Sequence, residues 1–418
     1  MGLIALMEGA LYACWPLIDG ESFSPASMRS KRASITQEVA QALPAVRSGS
    51  KPEETPAFME GEEVHPFLGY VRDSMVSSSG SAVGEFRDLV YEASPERMVI
   101  GIFGGSVAMH FANNAIDTLE QTLRTHPAFA GKEIRFISVT AGGYKQPQQL
   151  LALNYLLSIG AHFDVIVNID GFNEVALAPI ENVPQGVSPF FPRSWSIRTQ
   201  SLPDASLIRL AGEEMFLQQR RSQWAQFFDA SVLNISPSAN FLWLAYDRML
   251  QKDLYRTQMS MLTPAHADTL SGSVLPPPDA RSQEELMRSL VLNWQRSSLQ
   301  MKEICAANAI RYFHFLQPNQ YLPLSKILTA DEKRSAYSEE SPYRPWVERG
   351  YPLLRQAGKE LTAQGENFED LTQLFARTRV SIYKDNCCHF NALGNDELGS
   401  AVGRFLLHSW ETAAVKQK

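Results

Sequence analysis

The stretch that most constrains this chain is MVIGIFGGSVAMHFANNA, Met98 to Ala115, where a buried strand, a glycine turn and a helix start meet at one serine. Met98 to Phe103 is continuously apolar, the pattern of a strand covered on both faces. Gly104 and Gly105 permit a sharp turn through backbone conformations that other residues resist. From Val107 the apolar positions Phe111, Ala115, Leu119 and Leu123 recur every fourth residue, so the spacing predicts one helix facing a sheet. Ser106 then lies between the strand's carboxyl end and the helix's amino end. Free N–H groups and the helix dipole favour negative charge there, whether a bound anion or a developing alkoxide.

The pattern repeats twice. Ile134 to Val139 is a second strand that runs into TAGGYKQPQQL, where Gly142 and Gly143 turn the chain into a helix over Leu150 to Leu157 that stops at Gly160. A third strand, Asp164 to Ile169, runs into DGFNEV, Asp170 to Val175. Three strand–turn–helix units in succession predict a parallel sheet with right-handed crossovers. Ligands of such sheets bind outside the carboxyl ends of the strands, so Ser106, Gly143 and Asn173 can converge. The alternation then stops for about a hundred residues, longer than a crossover needs. This predicts a mainly helical insertion over 176–283, with helices at Gly212–Asp229 and Ala239–Leu262, closed by LPPPD at Leu275 to Asp279. Its aromatics are read first as the insert's own core. The core pattern returns with a helix from Gln283 to Ala307 and a fourth strand, Arg311 to Leu316, that ends in QPNQY. Ala330 to Gly365 reads as helical, surface-lying and broken at prolines. Phe368 to Phe375 and Val380 to Tyr383 bring the chain to KDNCCHFNALGNDELG.

Upstream, residues 1–20 form an apolar segment, but Glu8, Gly9 and Pro16 interrupt it and no basic residue precedes it. A helix packed on the protein and a membrane anchor both remain open. Residues 21–95 read as an arm and cover region, with a short helix near Ile35 to Leu43, an extended piece at Val64 to Val71 and a serine-rich loop at Asp73 to Ser81. With 44% hydrophobic and 20% charged residues the chain is of globular composition. A net charge of −7 without any long Lys/Arg cluster argues against a nucleic-acid partner. Four cysteines are too few for a disulfide scaffold and leave the compartment open. Cys387 and Cys388 are poorly placed to bond each other, and Cys305 with either one requires an oxidising compartment.

The chemistry comes from joining the last stretch to Ser106. A serine becomes nucleophilic when a base takes its proton, and histidine suits that task because its pKa lies near neutrality. His389 is the base candidate, with Asp385 close enough in sequence to orient it. The tetrahedral oxyanion needs preorganised donors, for which the backbone N–H groups of Ser106 and Gly143 and the side-chain amide of Asn173 are the candidates. His110 and Glu174 lie near these blocks as candidate substrate contacts, His110 equally as a packing residue. Singly, Ser106 reads as a helix cap, His389 as a core histidine and Asn173 as a turn residue. Together, at strand ends and in this order, they read as a site. No metal is expected: Cys387, Cys388 and His389 lack further ligands at recognisable spacing.

Four ordered blocks, GGSVA around Ser106, AGGYKQ around Gly143, GFNE around Asn173 and DNCCHFNALGN around His389, resemble those of the SGNH, or GDSL-like, hydrolase superfamily. The resemblance spans Met98 to Leu407. It implies a three-layer α/β/α, flavodoxin-like domain over residues 96–410 with about five parallel strands. It also implies acyl hydrolysis or transfer through an acyl-serine intermediate, without a metal or organic cofactor. Two departures stand out. Gly105 occupies the place of the family's aspartate in GDS, and three residues rather than the common two separate Asp385 from His389, which puts Asn386 at the usual position. The expectation is a serine esterase acting on an ester of a carbohydrate, lipid or small molecule. Three alternatives are an O-acyltransferase of the same fold, a catalytically degenerate domain that binds a glycan or a partner, and a phosphate- or nucleotide-binding protein. The last lacks both GxGxxG and GxxxxGK[ST].

Overall fold

The computed structural model describes residues 2–20, 22–42, 62–72, 93–185, 187–195, 198, 205–261 and 282–416. The expected serine-rich loop and the LPPPD closure lie outside them. They form two compact units, one within Met1–Glu62 and Gln200–Thr269, the other within Glu63–Thr199 and Leu270–Lys418.

The larger unit is built on the apolar runs anticipated above. β1 (Glu62–His65) and β2 (Gly69–Arg72) make a two-stranded sheet. β3 (Arg97–Gly104), β4 (Glu133–Thr140), β5 (Val165–Asp170), β6 (Arg311–Leu316) and β7 (Asn367–Asp370) make a five-stranded sheet. Its order is β4-β3-β5-β6-β7 and every pairing is parallel. The register aligns Gly104 with Thr140 and Ile169, and Leu316 with Asp170 and Asp370, so the strands end level along one edge.

Helices cover both faces, and alternate residues of each strand point to opposite layers. On one face Phe313 and Phe315 of β6 pack edge-on against Phe405 of the helix Ala392–Lys416, and Trp410 stacks on Phe313. On the other, Trp294 of the helix Gln283–Ala307 packs on His314 and Phe368. This is a three-layer α/β/α domain.

Three expectations need correction. The helix drawn through Phe111, Ala115, Leu119 and Leu123 is two helices, Ser106–Asn114 and Ile116–Leu123, although all four residues are fully buried. The break falls after two asparagines, poor helix formers, where Asn114 donates its amide to His110 O and the C-terminal helix passes so close that a Cβ on Gly399 would lie 3.0 Å from Ala115 O. The stretch Ala330 to Gly365 is not surface-lying. Its long helix, Arg344–Ala363, buries Val347, Tyr351, Leu354 and Leu361 completely, and Gly358 lets it ride directly on Phe368 of β7. The charged residues between those positions mask the stripe. Third, residues 22–42 are not merely a connecting arm. They include the helix Pro25–Ala42, longer than the expected stretch near Ile35, because a buried arginine, Arg32, interrupts the apolar spacing of Met28, Ile35 and Val39.

That helix belongs to the smaller unit, with the helices Gly2–Asp19, Ala205–Ala230 and Pro237–Met261. Its core joins Trp15, Phe23, Met28 and Ile35 to Ala225, Phe228, Trp243 and Leu244. Arg32 lies 5.3 Å from the Phe228 ring and 5.1 Å from the Trp243 ring, donates to Asn240 Oδ1 and pairs with Asp229. Among the described residues no helix is long and apolar enough to cross a membrane.

Candidate active site

The level carboxyl ends of the strands set the site. β3 stops at Gly104 with φ +143°, where a Cβ would lie 2.1 Å from Ile169 O, so only glycine fits. Gly105 has φ −85°, which any residue adopts. Its glycine is a matter of space: a Cβ there would lie 2.1 Å from Asn173 Nδ2 and 3.0 Å from Tyr144 O. The expectation that both glycines serve backbone freedom therefore fails at Gly105, and the departure from GDS has a steric reason. Asn173 donates its amide to Tyr144 O at 2.7 Å, which places that group against both the Gly105–Ser106 turn and the Gly143–Tyr144 turn. Ser106 opens its helix, and N–H groups of a first turn have no intrahelical acceptor.

His389 Nε2 lies 2.7 Å from Ser106 Oγ, and its Nδ1 lies 2.5 Å from Asp385 Oδ2. The three-residue separation is accommodated by the aspartate itself, whose other oxygen accepts the backbone N–H groups of Cys387, Cys388 and His389 at 2.9, 3.2 and 3.4 Å. The loop thus winds around the Asp385 carboxylate. Asp385, and not Asn386, is the group bonded to the ring. Residues that sequence reasoning missed hold this loop from the end of β6. Asn319 donates to Cys387 O, Gln320 to Asp385 O and the Tyr321 hydroxyl to Asn386 O. The signal was the polar run QPNQY at a strand's carboxyl end.

Burial by itself would lower the pKa of His389. The Asp385 carboxylate and the Cys388 thiol beside it outweigh that and raise it to about 10. Asp385 moves the other way, held well below the usual carboxylate range because His389 and the Cys387 N–H overcome its desolvation. Burial would push the Cys388 thiol up, but its contacts with Cys387 and His389 bring it down to about 6. His110 packs edge-to-face on His389, ring centroids 4.9 Å apart, and is held neutral by its burial and by the His389 and Lys384 charges.

Glu174, a candidate substrate contact in the sequence, is a buried tie between the turns that follow β4 and β5. Its Oε1 accepts from Gln146 N at 2.9 Å and its Oε2 from Gly171 N at 2.8 Å. Desolvation, with the nearby Asp170 charge, raises its pKa to about 8. Asp170 lies in a buried chain in which it accepts from Trp294 Nε1 and meets His314 Nε2, while His314 Nδ1 faces Ser298 and Glu366.

Gly143 has φ +81°, and Arg193 lies across it: a Cβ there would fall 2.3 Å from Arg193 Cδ. Lys145, fully buried, holds that covering segment in place by donating to Pro189 O and Phe191 O. Asn182 adds bonds to the carbonyls of Ser188, Phe191 and Pro192.

Cys387, Cys388 and His389 offer ligand atoms within 4.8 Å of one another, the two sulfurs 3.4 Å apart. Both ring nitrogens of His389 are engaged by Ser106 and Asp385, which leaves that imidazole without a lone pair directed at a cation. All four cysteines are free thiols. The arrangement presents a hydroxyl, a base bonded to it, a carboxylate orienting the base, and an amide beside the hydroxyl. In sequence, the chain matches no family model and none of the curated proteins.

Proposed function

We propose that the larger unit is a serine esterase of the SGNH type. Ser106 Oγ attacks an ester carbonyl while His389 Nε2 takes its proton, and Asp385 holds the ring in the tautomer that leaves Nε2 free to accept. The N–H groups of Ser106 and Gly143 and the Asn173 amide stabilise the tetrahedral oxyanion. His389 then protonates the departing alcohol, which leaves an acyl-serine that water resolves. An acceptor hydroxyl in place of water would make the same chemistry an O-acyl transfer. The substrate is an ester of a carbohydrate, lipid or small molecule.

The observation that carries this reading is the unbroken relay Ser106–His389–Asp385, 2.7 and 2.5 Å, at the carboxyl edge of a parallel sheet. The Ser106 hydroxyl faces the base, which favours a nucleophile over an anion cradle. The test is hydrolysis of p-nitrophenyl esters from acetate to octanoate, with labelling by a fluorophosphonate probe. Wild type should turn over and label, and Ser106→Ala should do neither. Asp385→Asn should lose about 10³–10⁴ in kcat by inverting the tautomer, whereas Asn386→Ala should retain most of the rate. A wild type as inert as Ser106→Ala in both assays would refute the reading.

A further inference from the structure

The cation across the oxyanion turn has a use beyond packing. Arg193 spends one of its nitrogens on the protein: Nε donates to Glu181 Oε2 at 2.9 Å, and Glu181 is buried, whereas the Arg193 side chain keeps 35% of its surface open. Among the described residues Nη1 and Nη2 have no hydrogen-bond partner. The Glu181 carboxylate, acting against desolvation, binds the Arg193 proton more tightly than usual, so the group is a permanent cation. Its stem crosses Gly143, whose N–H is a proposed oxyanion donor. The guanidinium thus extends from a stem that lies against one of the proposed oxyanion turns.

Two further cations act on the same site. Arg72 and Lys384 both act on His110, the ring packed on His389, and Arg72 Nη1 lies 3.6 Å from Met109 Sδ on the Ser106 helix. Of the carboxylates among the described residues, Asp385 is engaged by His389 and Glu181 by Arg193. Arg72 and Lys384 thus place positive charge beside the His110–His389 ring pair. A planar guanidinium with two N–H edges unpartnered among the described residues matches a carboxylate, and positive charge beside a site concentrates anions.

We infer that the site takes esters carrying a carboxylate close to the scissile carbonyl, with Arg193 as the residue that selects them. This rests on the esterase reading above and narrows its substrate class to acidic esters. The blander role, a strut that braces the Gly143 turn, would affect charged and neutral esters alike.

The test is a comparison of isosteric pairs: 4-acetoxybenzoate with its methyl ester, and mono-p-nitrophenyl glutarate with its methyl ester. The first pair puts the charge on the alcohol and the second on the acyl group. The anion of at least one pair should have a kcat/KM about tenfold above its neutral partner, an advantage that shrinks from about 0.01 M to about 0.5 M NaCl. Arg193→Gln should bring the anion-to-neutral ratio close to one, and Arg193→Lys should restore part of it. The salt dependence of wild type needs no variant to fold. Ratios near one in both pairs, with Ser106-dependent turnover of the neutral esters, would overturn this inference and leave the esterase reading intact. A ratio that survives Arg193→Gln would overturn the assignment to Arg193. If no ester is hydrolysed, the esterase reading fails, and thermal shift then decides the charge preference. Stabilisation by 4-hydroxybenzoate or glutarate over the methyl esters, lost in Arg193→Gln, would uphold the anion site, and equal response would overturn it.

Discussion

The imidazole of His389 sits between two groups that favour its charged form, Asp385 at Nδ1 and the Cys388 thiol beside the ring, and its pKa is raised to about 10. A base must be neutral to accept the serine proton, so a raised pKa moves the ascending limb of the pH–rate profile upward. kcat/KM for a neutral ester should keep rising well above the ordinary histidine value of 6.5. Cys388→Ala removes one of the groups holding the proton on, and should shift that limb toward lower pH with Ser106 and Asp385 untouched. A limb unmoved by this substitution would show that Cys388 plays no part in tuning the base. At this scale the serine, the histidine and the amide that the structure brings together were legible in the sequence, Ser106 and Asn173 because each follows a strand end. The sequence did not decide between Asp385 and Asn386. That choice depends on a loop wound around one carboxylate oxygen, and on Asn319, Gln320 and Tyr321, which approach from a strand about seventy residues earlier.

Among the elements, strands β3 to β6 were legible to within a residue or so at each end, since strands buried on both faces are mainly apolar runs. The last strand, β7, was not, because Asn367 to Asp370 holds one apolar residue. The buried polar chain of Asp170, His314, Ser298 and Glu366 was equally hidden, since polar residues at inward positions read as solvent-facing until their partners are known. Glu174 is the element-level counterpart, a positioning residue that fastens the turn after β4 to the turn after β5. Glu174→Ala would leave the N–H groups of Gln146 and Gly171 buried and unpaired, at about 1–3 kcal/mol each. Urea unfolding should report that loss. Steady-state kinetics should show kcat falling with KM little changed, as the donors flanking the oxyanion loosen. Glu174→Gln, which keeps one acceptor and the side-chain shape, should recover part of both. That partial rescue separates positioning from general damage, and is favoured because the carboxyl, with its pKa raised to about 8, is already near-neutral.

Across the whole chain, the smaller unit draws its core from three separated stretches, the apolar segment around Trp15, the helix Pro25–Ala42 and the two long helices of the insertion. Periodicity within each stretch signalled a helix but not its partner, because what joins them is contact between residues some two hundred positions apart, as in Arg32 to Asp229 and Asn240. Arg32 is fully buried between aromatic rings with its charge matched by Asp229, so Arg32→Ala removes the central cation and leaves Asn240 and Asp229 without it. The cost should reach about 3 kcal/mol, moderated by the partial solvent access of Asp229. None of the residues of that core belongs to the clusters around the sheet. Separate cores predict separable unfolding, so calorimetry of wild type should resolve two transitions, and Arg32→Ala should lower one and leave the other in place. Ester turnover measured below the lowered transition should persist, because the Ser106–His389–Asp385 relay and its supports all lie in the sheet-bearing unit. A single transition that moves as a whole would overturn the expectation of separable unfolding.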